Sequence, residues 1–248
     1  RRKILAIVRA QIDEIGKKNK LKLYKFKNHP LIYNSKLQPI LSSINQFDHL
    51  RWSKKFLVHN TIIIDLGKSE QVIWDNFSKY HKKNIKKILK KNLKFEIVSS
   101  DKDKSTIENK FRNFKKAHFQ SAGRSTRPDE TWNIMQDMIF KDKSVLFCIS
   151  HNQVEISYLY CGFFNNFAWG WSQVNLDKYE KEFMPRHLLE WLVIKYFKDK
   201  KFSFYEIGER FFSYEGFKPS KKEITISEFK EKFGGEMYPS VYFQSTIN

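Results

Sequence analysis

The chain has 248 residues, and its 46 lysines and arginines outnumber its 27 aspartates and glutamates, which gives a formal net charge of +19 at pH 7. Hydrophobic residues make up 41% of the chain and aromatic residues 16%, so the composition excludes an intrinsically disordered protein. Nine glycines and six prolines exclude a collagen-like or low-complexity sequence, and no apolar run approaches the roughly 18 residues that a membrane-spanning helix needs.

The chain contains two cysteines, Cys148 and Cys161. Two are too few for a disulfide framework or a zinc knuckle, and the apolar stretch near the first residue is too short for a signal peptide. The length suits one large domain or two small ones, and either can bury a substantial core. We therefore expect a reduced, cytoplasmic protein.

The first quarter of the chain predicts one helix and two strands. Residues 1–17 have the apolar spacing of a helix, which Gly16 is expected to end. Residues 21–26 alternate apolar side chains with lysine and predict a strand, whereas residues 27–60 are predicted to be irregular. Residues 61–66 are rich in β-branched side chains and predict a second strand.

The next segment is the most basic part of the chain. Ser69 is expected to cap a helix that extends to about residue 91. Residues 79–91 hold seven lysines, and apolar residues recur among them at helical spacing, so one face packs while the other is cationic. One interpretation is a solvated helix face. The other is contact with a polyanion, either nucleic acid or the surface of an acidic membrane, through residues 70–91.

The remaining residues predict helices and strands that alternate in blocks. Ser105 and Glu108 form a capping-box pattern, and Pro128 suits the first turn of a helix. The predicted elements are a strand at 94–99, helices at 105–120 and 128–141, strands at 145–150, 154–164 and 167–174, a buried helix at 185–198, and strands at 203–207 and 241–246. Two helices before an antiparallel meander, then a buried helix and another strand, indicate an α+β fold. Acyltransferases of the GNAT type (acyl-CoA N-acyltransferase-type) have this order of elements.

Five short sequence blocks also follow one another between residues 61 and 240. They are the strand ending in Asp65-Leu66 with the Trp74 helix and its lysines, the segment 121–128 with Arg124 and Arg127, the segments 187–191 and 205–208, and the segment 229–235 with Phe229 and Lys230. In this order they resemble the blocks of the Fem-type (FemABX-like) aminoacyltransferases. The resemblance implies a GNAT-like fold, in which a mixed, largely antiparallel sheet is flanked by helices. It also implies a partial N-terminal GNAT-like half at residues 1–66 and an acyltransferase domain at residues 67–248.

The resemblance further implies an enzyme that transfers an acyl group onto an amine. In the best-known members of the family this is an aminoacyl group from charged tRNA. The expected acceptor is a precursor of the bacterial cell envelope, either a peptidoglycan peptide or a nucleotide-linked amino sugar for polysaccharide biosynthesis. No bound cofactor is expected, because aminoacyl-tRNA or acyl-CoA acts as a co-substrate. The positive charge suits tRNA, since neutralising phosphates supplies sequence-independent affinity.

Two alternatives remain open. The first is a CoA-dependent N-acyltransferase that acts on an amino sugar. The segment 182–188 before the buried helix argues against it. This segment contains no glycine, and CoA-dependent enzymes use glycines there so that backbone amides can approach the pyrophosphate. The second is a non-catalytic module that binds RNA or a membrane surface, and binding without turnover would identify it.

Acyl transfer to an amine needs a group that stabilises the developing oxyanion. Phe229 and Lys230 match the family's Phe-Lys pair, and the resemblance implies that Lys230 stabilises charge on carbonyl and phosphate oxygens. The alternative for Lys230 is an ordinary surface lysine. Glu206 stands at a predicted strand end, where a carboxylate is placed to accept a proton from the amine. Fem-type catalysis, however, is thought to need no enzyme base.

Four further residues are predicted to bind substrate. Arg124 and Arg127 flank a loop before a helix, where two guanidinium groups suit a phosphate or carboxylate, or they are ordinary loop arginines. Trp171 is predicted to share a strand face with Trp169, either in the core or as a stacking wall. His187 begins the buried helix and is either a packed residue or a substrate contact. The seven histidines have no metal-ligand spacing, so no metal site is expected.

Overall fold

The computed structural model describes residues 2–28, 31–33, 39–41, 55–214 and 218–247. The helices in these ranges are α1 (Arg2–Lys18), α2 (Glu70–Asn76), α3 (Lys79–Ile88), α4 (Lys104–Ala122), α5 (Asp129–Phe140), α6 (Asp177–Phe183), α7 (Pro185–Asp199) and α8 (Lys221–Glu231). The strands are β1 (Leu23–Asn28), β2 (Leu31–Tyr33), β3 (Pro39–Leu41), β4 (Lys55–Asp65), β5 (Lys94–Val98), β6 (Ser144–His151), β7 (Val154–Phe164), β8 (Phe167–Asn175), β9 (Phe204–Arg210) and β10 (Glu236–Thr246).

The chain forms two compact units, and neither is a continuous segment. The first comprises Arg1–Thr61, Glu209–Ile226 and Met237–Asn248, and the second comprises Ile62–Gly208 and Ser227–Glu236. The predicted segments 1–66 and 67–248 therefore do not coincide with these units. Strand β4 begins in the first unit and ends in the second, and strand β9 does the reverse.

The first unit contains α1 and the antiparallel pair of β1 with β10. Arg9 of α1 donates hydrogen bonds to Asp13 at 2.9 Å and to Ser245 of β10 at 3.0 Å. Gly16 does not end the helix as predicted. It lies inside α1, against the end of the chain, and a Cβ there would come within 2.5 Å of the Ile247 side chain. The glycine therefore serves close packing rather than helix termination.

The sheet of the second unit has the strand order β4-β9-β8-β7-β6-β5. Strands β6 to β8 form an antiparallel meander, β5 pairs antiparallel with β6, and β9 pairs in parallel with β8. The turn between β6 and β7 consists of Asn152 and Gln153, which both have positive φ, as a two-residue hairpin of type I′ requires. The predicted meander and the mixed, largely antiparallel α+β fold are confirmed.

Strands β6 and β7 are buried on both faces. In β6, Val145, Phe147 and Ile149 belong to one hydrophobic cluster, whereas Leu146 and Cys148 belong to a second. Successive side chains of a strand point to opposite faces, so the sheet separates two cores. Helix α7 packs against β6 and β7 in the first core, while α5 packs on β6 and α4 on β8 in the second.

The predicted basic helix is two helices, not one. Ser69 caps α2 as expected, and its Oγ accepts a hydrogen bond from Val72 N at 3.3 Å. Ser78 then caps α3 in the same way, accepting from His81 N at 3.2 Å. A second capping serine directly before the lysine run is the signal for this break, since an N-cap residue has extended backbone geometry.

Several other boundaries differ from the sequence prediction. Helix α4 is capped by Asp103, whose Oδ1 accepts from Thr106 N at 2.8 Å, and not by Ser105. Residues 27–60 contain β2, β3 and the start of β4, although residues 29–30, 34–38 and 42–54 lie outside the described ranges. Helices α6 and α8 were not predicted. Among the helices in the described ranges, none combines the length and apolar composition needed to cross a bilayer.

Burial in the first core predicts how much the free energy of unfolding falls when an aromatic ring is removed. Phe197 of α7 is fully buried, so Phe197→Ala should lower the free energy of unfolding by about 3–5 kcal/mol. Phe164, at the end of β7, is 61% exposed, and Phe164→Ala should change it by less than about 0.5 kcal/mol. Urea denaturation of both variants measures the difference. Equal losses would contradict the assignment of the core.

Candidate active site

Strands β8 and β9 part after only three residue pairs. The parallel pairing joins Phe167 to Phe204 and ends with Trp169 opposite Glu206, although β8 continues to Asn175 and β9 continues through Gly208. A parallel pair that separates in this way opens a wedge in the middle of a sheet, between two rigid strands. Such a wedge is a natural place for a substrate.

Phe229 of α8 is anchored beside this sheet by a cluster of rings. The rings of His81 and His187 lie 4.8 Å and 4.9 Å from the Phe229 ring, and the Arg186 guanidinium lies 5.2 Å from it. His81 Nε2 donates a hydrogen bond to the Phe229 carbonyl at 3.0 Å. These contacts fix the backbone immediately before Lys230.

Lys230 extends from α8 to Gly208 of β9. A Cβ on Gly208 would collide with Lys230 Nζ, so the ammonium group lies directly against the glycine backbone. Gly208 has φ = +134°, a conformation that residues with a side chain rarely adopt. The glycine thus supplies both the backbone geometry and the space that the lysine occupies, two residues beyond the last β8–β9 pair.

A buried carboxyl group of α7 contacts the same strand, β9. Tyr205 of β9 donates a hydrogen bond to Glu190 Oε1 of α7 at 2.5 Å. Burial raises the pKa of Glu190 to about 7, although the Tyr205 hydroxyl and the charge of Lys230 oppose the increase. Gly170 of β8 makes room for the tyrosine, because a Cβ there would lie 2.8 Å from the Tyr205 hydroxyl oxygen.

Glu206, the predicted proton acceptor, is buried on β9 and 4% exposed. It lies in register with Trp169, at the last pair before the strands part. Glu209, the next acidic residue along β9, belongs to the first unit. Its carboxylate accepts a hydrogen bond from the Tyr242 hydroxyl. The role of Glu206 stays a prediction.

Arg127 is held by the second unit itself. Its Nη2 donates to Ser172 Oγ at 2.9 Å, and its guanidinium stacks 4.9 Å from the centre of the Trp132 ring. The Ser172 hydroxyl is in turn hydrogen-bonded to His118 Nε2 at 2.9 Å. Arg124, by contrast, is exposed on the α4–α5 loop, and among the described residues its side chain donates only to the Ser125 carbonyl, at 3.3 Å. The two predicted clamp residues therefore have different environments.

Trp171 forms part of an aromatic surface on β8. Tyr160 pairs with Ser172 and Cys161 with Gly170, so Trp171 is the extra residue of a β-bulge. Its ring stacks on that of Trp169 with centroids 6.1 Å apart. The side chain is 49% exposed, which leaves ring surface for a ligand to stack upon.

His187 is buried among other side chains. It is 4% exposed, its Nδ1 donates to the Met184 carbonyl at 3.2 Å, and its Nε2 accepts from Asn84 Nδ2 at 3.4 Å. Its ring packs 4.7 Å from His81. The structure thus places His187 within the packed rings that surround Phe229. Its contact with substrate stays a prediction.

A lysine groove lies along α2 and α3. This groove has a volume of about 750 Å³ and also contains Trp74 and Asp75; its lysines are Lys79, Lys82, Lys83, Lys86, Lys87 and Lys90. Within the described part of the chain, no ion pair links any of these six lysines to a carboxylate. The groove therefore carries a concentrated, uncompensated positive charge.

One cluster has the residue types of a metal site. Glu96, Cys148 and Glu155 bring their ligand atoms within 4.8 Å of one another. However, Lys110 Nζ lies 2.9 Å from Glu96 and 2.6 Å from Glu155, and Lys94 Nζ lies 3.2 Å from Glu96, so two ammonium groups already neutralise the two carboxylates. Burial raises the pKa of Cys148 to about 12, and a thiol that keeps its proton is a poor metal ligand. These residues do not fit a metal ion.

Several residues of this region were missed by sequence reasoning. Glu190 and Tyr205 lie within the segments 187–191 and 205–208, but no sequence pattern indicates that their side chains form a hydrogen bond. The available signal was a single carboxylate in the otherwise apolar stretch from Leu188 to Trp191. His81 and His118 were treated as scattered histidines, because only the packing of the helices brings them to Phe229 and Ser172.

No protein-family model and no curated protein sequence matches this chain. Solved structures do match it. FemX aligns with a TM-score of 0.63 at 13% identity, covering 96% of this chain and 76% of FemX. A tandem GNAT protein from the clavulanic acid biosynthesis pathway aligns with a TM-score of 0.55 at 9% identity, covering 100% of this chain and 71% of that protein.

A third similar structure is the C-terminal domain of a putative lysylphosphatidylglycerol synthetase from Agrobacterium fabrum. Its TM-score is 0.53 at 9% identity, and the alignment covers 78% of this chain and 61% of that one. This chain thus spans less than two thirds of that structure. At these identities the similarity concerns the fold, and it confirms that the fold is GNAT-like and similar to that of FemX.

The buried histidines predict sensitivity to mild acid. Burial lowers the pKa of His81, His118 and His187 to about 4, whereas an unfolded histidine titrates near 6.5. Between these values the unfolded chain binds more protons, so stability present above about pH 6.5 falls as the pH decreases towards 4. Glu190, whose pKa is raised to about 7, contributes the opposite slope.

His118→Gln isolates one of these contributions. The variant should reduce the slope of unfolding free energy against pH by up to about 1.4 kcal/mol per pH unit between pH 6.5 and 4.5. Urea titrations of both proteins across this range measure the slope, and the Glu190 contribution cancels in the comparison. Parallel curves would show that His118 is not held in its neutral form.

The two loop arginines predict unequal effects on stability. Arg127→Ala removes a hydrogen bond to Ser172 and the stacking on Trp132, so the free energy of unfolding should fall by about 1–3 kcal/mol. Arg124→Ala should leave it within about 0.5 kcal/mol. Urea denaturation of both variants provides the comparison. A larger loss for Arg124→Ala would contradict the described loop.

Proposed function

We propose that this protein is an acyltransferase that moves an aminoacyl or acyl group, with aminoacyl-tRNA as the donor, onto an amine of a cell-envelope precursor. The acceptor is a peptidoglycan peptide or a nucleotide-linked amino sugar. The observation that carries the proposal is Lys230, whose ammonium lies against Gly208 where β8 and β9 part. The GNAT-like fold, similar to that of FemX, supports it.

The reaction requires little more than orientation and charge stabilisation. The neutral amine of the acceptor forms an N–C bond to the acyl carbon, and the carbonyl oxygen gains negative charge in the tetrahedral intermediate. Lys230 stabilises that oxygen electrostatically. The C–O bond to the tRNA ribose then breaks, and the leaving oxygen takes the proton that the amine gives up. No side chain of this chain has to exchange a proton.

The lysine groove along α2 and α3 supports a polyanionic donor. Five of its six lysines lie on the face of α3 opposite the buried residues His81, Ile85 and Ile88, and the sixth, Lys90, lies just beyond the end of the helix. Like charges at i and i+4 destabilise a helix, so this row is more easily explained by a ligand than by stability. A concave groove fits a phosphate backbone better than it fits the flat surface of a membrane.

The start of α7 supports the choice against acyl-CoA. Its first residue, Pro185, has no backbone N–H to offer to a phosphate. The N–H of His187 is already donated to the Met184 carbonyl at 3.1 Å. Helix α6 ends only two residues before α7, so there is no glycine loop to wrap a pyrophosphate. This end of α7 is therefore poorly suited to the usual CoA cradle.

For the acceptor, the second unit offers an exposed cation and an exposed ring. Arg124 is exposed on the α4–α5 loop, and Trp171 is exposed on β8. A phosphate or carboxylate of the precursor would pair with the guanidinium, and a sugar or base would stack on the indole. Arg127 is already hydrogen-bonded to Ser172 of β8, so it holds this loop against the sheet.

The test measures donor binding and transfer separately. Fluorescence anisotropy with aminoacyl-tRNA and calorimetry with acetyl-CoA give binding, and radiolabelled aminoacyl-tRNA with each class of acceptor gives transfer. Lys230→Ala should lower kcat by about 10²–10³-fold with tRNA affinity unchanged. Lys104→Ala, an exposed lysine of α4, is the control and should behave like the wild type.

A charge-reversal set tests the groove. Lys82→Glu, Lys86→Glu and Lys90→Glu together should weaken tRNA binding at least tenfold and flatten its salt dependence, since fewer phosphates are then neutralised. The matched control, Lys102→Glu with Lys104→Glu and Lys143→Glu, has the same net charge but an intact groove. Equal weakening by both sets would exclude the groove. Tight acetyl-CoA binding without tRNA binding would overturn the proposed donor, and tRNA binding without transfer to any acceptor would indicate a binding module.

A further inference from the structure

Trp74 of α2 gives the lysine groove an aromatic wall. Its ring lies 5.6 Å from the Phe77 ring and 5.2 Å from the Trp191 ring, and both of those rings are buried. Trp74 itself is half-buried, packs against the first core and lines the groove. One part of the indole is therefore held by the core while another part borders the groove, so the orientation of the ring is set before any ligand arrives.

The polar end of the same ring has no partner among the residues that the structure describes. No hydrogen bond to those residues involves the indole N–H of Trp74, and this N–H is not one of the buried polar atoms that lack a partner. It therefore reaches water. A buried tryptophan usually bonds its N–H to a protein group, whereas here the donor and part of the ring are both available to a ligand.

The row of lysines beside Trp74 is long enough to face several phosphates. Lys79 to Lys87 extend over about 12 Å of α3, since a helix rises about 1.5 Å per residue. Lys90 continues the groove just beyond the helix. A nucleic-acid strand advances about 3.4 Å per phosphate, so the row matches about four or five phosphates.

An acidic residue determines on which side of the groove those phosphates can lie. Asp75, next to Trp74 in α2, is the one carboxylate among the described residues that line the groove, and it accepts a hydrogen bond from Gln71 Nε2 at 2.9 Å. A carboxylate repels phosphate, so the backbone of a bound strand belongs on the α3 side and its bases on the Trp74 side. Lys82 Nζ links the two sides, because it donates to the Asp75 carbonyl at 3.1 Å.

The beginning of the lysine row is joined to the segment that carries Lys230. Ser78, which caps α3, donates its backbone N–H to the Lys232 carbonyl at 2.9 Å, and His81 Nε2 is hydrogen-bonded to the Phe229 carbonyl at 3.0 Å. A strand that lies along the groove therefore has one of its ends beside this segment.

We propose that the lysine groove binds an unpaired segment of RNA, with phosphates on the lysines of α3 and one base stacked on Trp74. The proposal rests on the tRNA donor of the proposed function and deepens it, because it selects a single strand over a duplex. The bases of a duplex stack on one another, so only an unpaired base can present its face to a protein ring.

An acidic membrane surface also attracts lysines, but the position of Trp74 favours RNA. A tryptophan that enters a membrane interface has to project from the protein surface, whereas Trp74 lies in a concave groove and is backed by two buried rings. Lipid headgroups offer phosphates but no flat face that could stack on an indole. A nucleotide offers both.

The decisive experiment removes the base from the RNA and the ring from the protein independently. Fluorescence anisotropy measures the binding of a labelled single-stranded RNA of about 12 nucleotides, of the same strand with abasic nucleotides, and of the same strand annealed to its complement. The wild type should bind the normal strand about 5–100-fold more tightly than the abasic strand, the effect of one stacked base. It should also bind the single strand more tightly than the duplex.

Trp74→Leu keeps an apolar side chain against Phe77 and Trp191 but removes the aromatic face. This variant should bind the normal and the abasic strand equally, and its salt dependence should match that of the wild type, because stacking neutralises no phosphate. Trp74→Phe should recover part of the preference for the normal strand. Phe164→Ala removes an exposed ring of β7 outside the groove, and as the control it should retain the full preference.

Equal affinity of the wild type for the normal and the abasic strand would overturn the proposal, as would tighter binding of the duplex. A preference for the normal strand that persists in Trp74→Leu would also overturn it, since the base then stacks elsewhere. If Trp74→Leu does not fold, photocrosslinking of the wild type to a strand that contains thiouridine decides. The crosslink should lie on Trp74, and crosslinks confined to residues outside 71–90 would overturn the proposal.

Two results separate this proposal from the proposed function. Base-dependent RNA binding without transfer to any acceptor would support the groove and reject the acyl-transfer reaction. Transfer from subsaturating aminoacyl-tRNA that is equally fast in Trp74→Leu and in the wild type would support the function and overturn the role of the groove. Binding to vesicles that contain phosphatidylglycerol, without affinity for any of the three RNAs, would overturn the proposal and identify the groove as a membrane contact.

Discussion

The burial of strands β6 and β7 on both faces is the constraint on which the second unit depends. Phe147 and Leu146 are adjacent in β6 yet enter different cores, so each face needs its own layer of helices. Helix α7 covers one face, and α4 and α5 cover the other. These layers also position part of the candidate site, since Arg124 and Arg127 lie on the loop between α4 and α5.

The positive charge of the protein has three different physical settings. The groove lysines are mostly exposed, where water and salt screen them, so they act together on a polyanion and weakly as individuals. Arg127 is half-buried, hydrogen-bonded to Ser172 and stacked on the Trp132 ring, so its charge is part of the folded structure. Lys230 lies next to the protein interior beside Gly208, where the effective dielectric constant is lower and one charge has a larger effect.

The histidines next to Phe229 illustrate how neutral polar groups are used in this core. His81 and His187 pack edge to face at 4.7 Å, and each uses a ring nitrogen to bond a backbone carbonyl. Burial keeps both rings neutral near pH 7, since it lowers their pKa values to about 4. They therefore support the Phe229–Lys230 backbone without adding a competing positive charge.

The sequence by itself determined most of the helices and strands between residues 61 and 207, the antiparallel meander and the α+β fold class, and it directed attention to Phe229 and Lys230, whose role stays a prediction. These follow from local patterns, namely side-chain periodicity, capping residues, short turns and a motif of adjacent residues. The prediction from sequence failed in two places. The basic segment was predicted as one helix, although Ser78 is a second N-cap that divides it, and residues 27–60 have no periodicity from which strands could be predicted.

The tertiary structure alone decided which distant residues meet. Glu190, Tyr205, Gly208 and Lys230 come from α7, β9 and α8, and no spacing in the sequence relates them, because contacts between elements depend on the packing of whole layers. The same packing separated Arg124 from Arg127, identical in chemistry and three residues apart, by giving only Arg127 a partner on β8. It also placed His187 in the core, since both faces of α7 are largely buried.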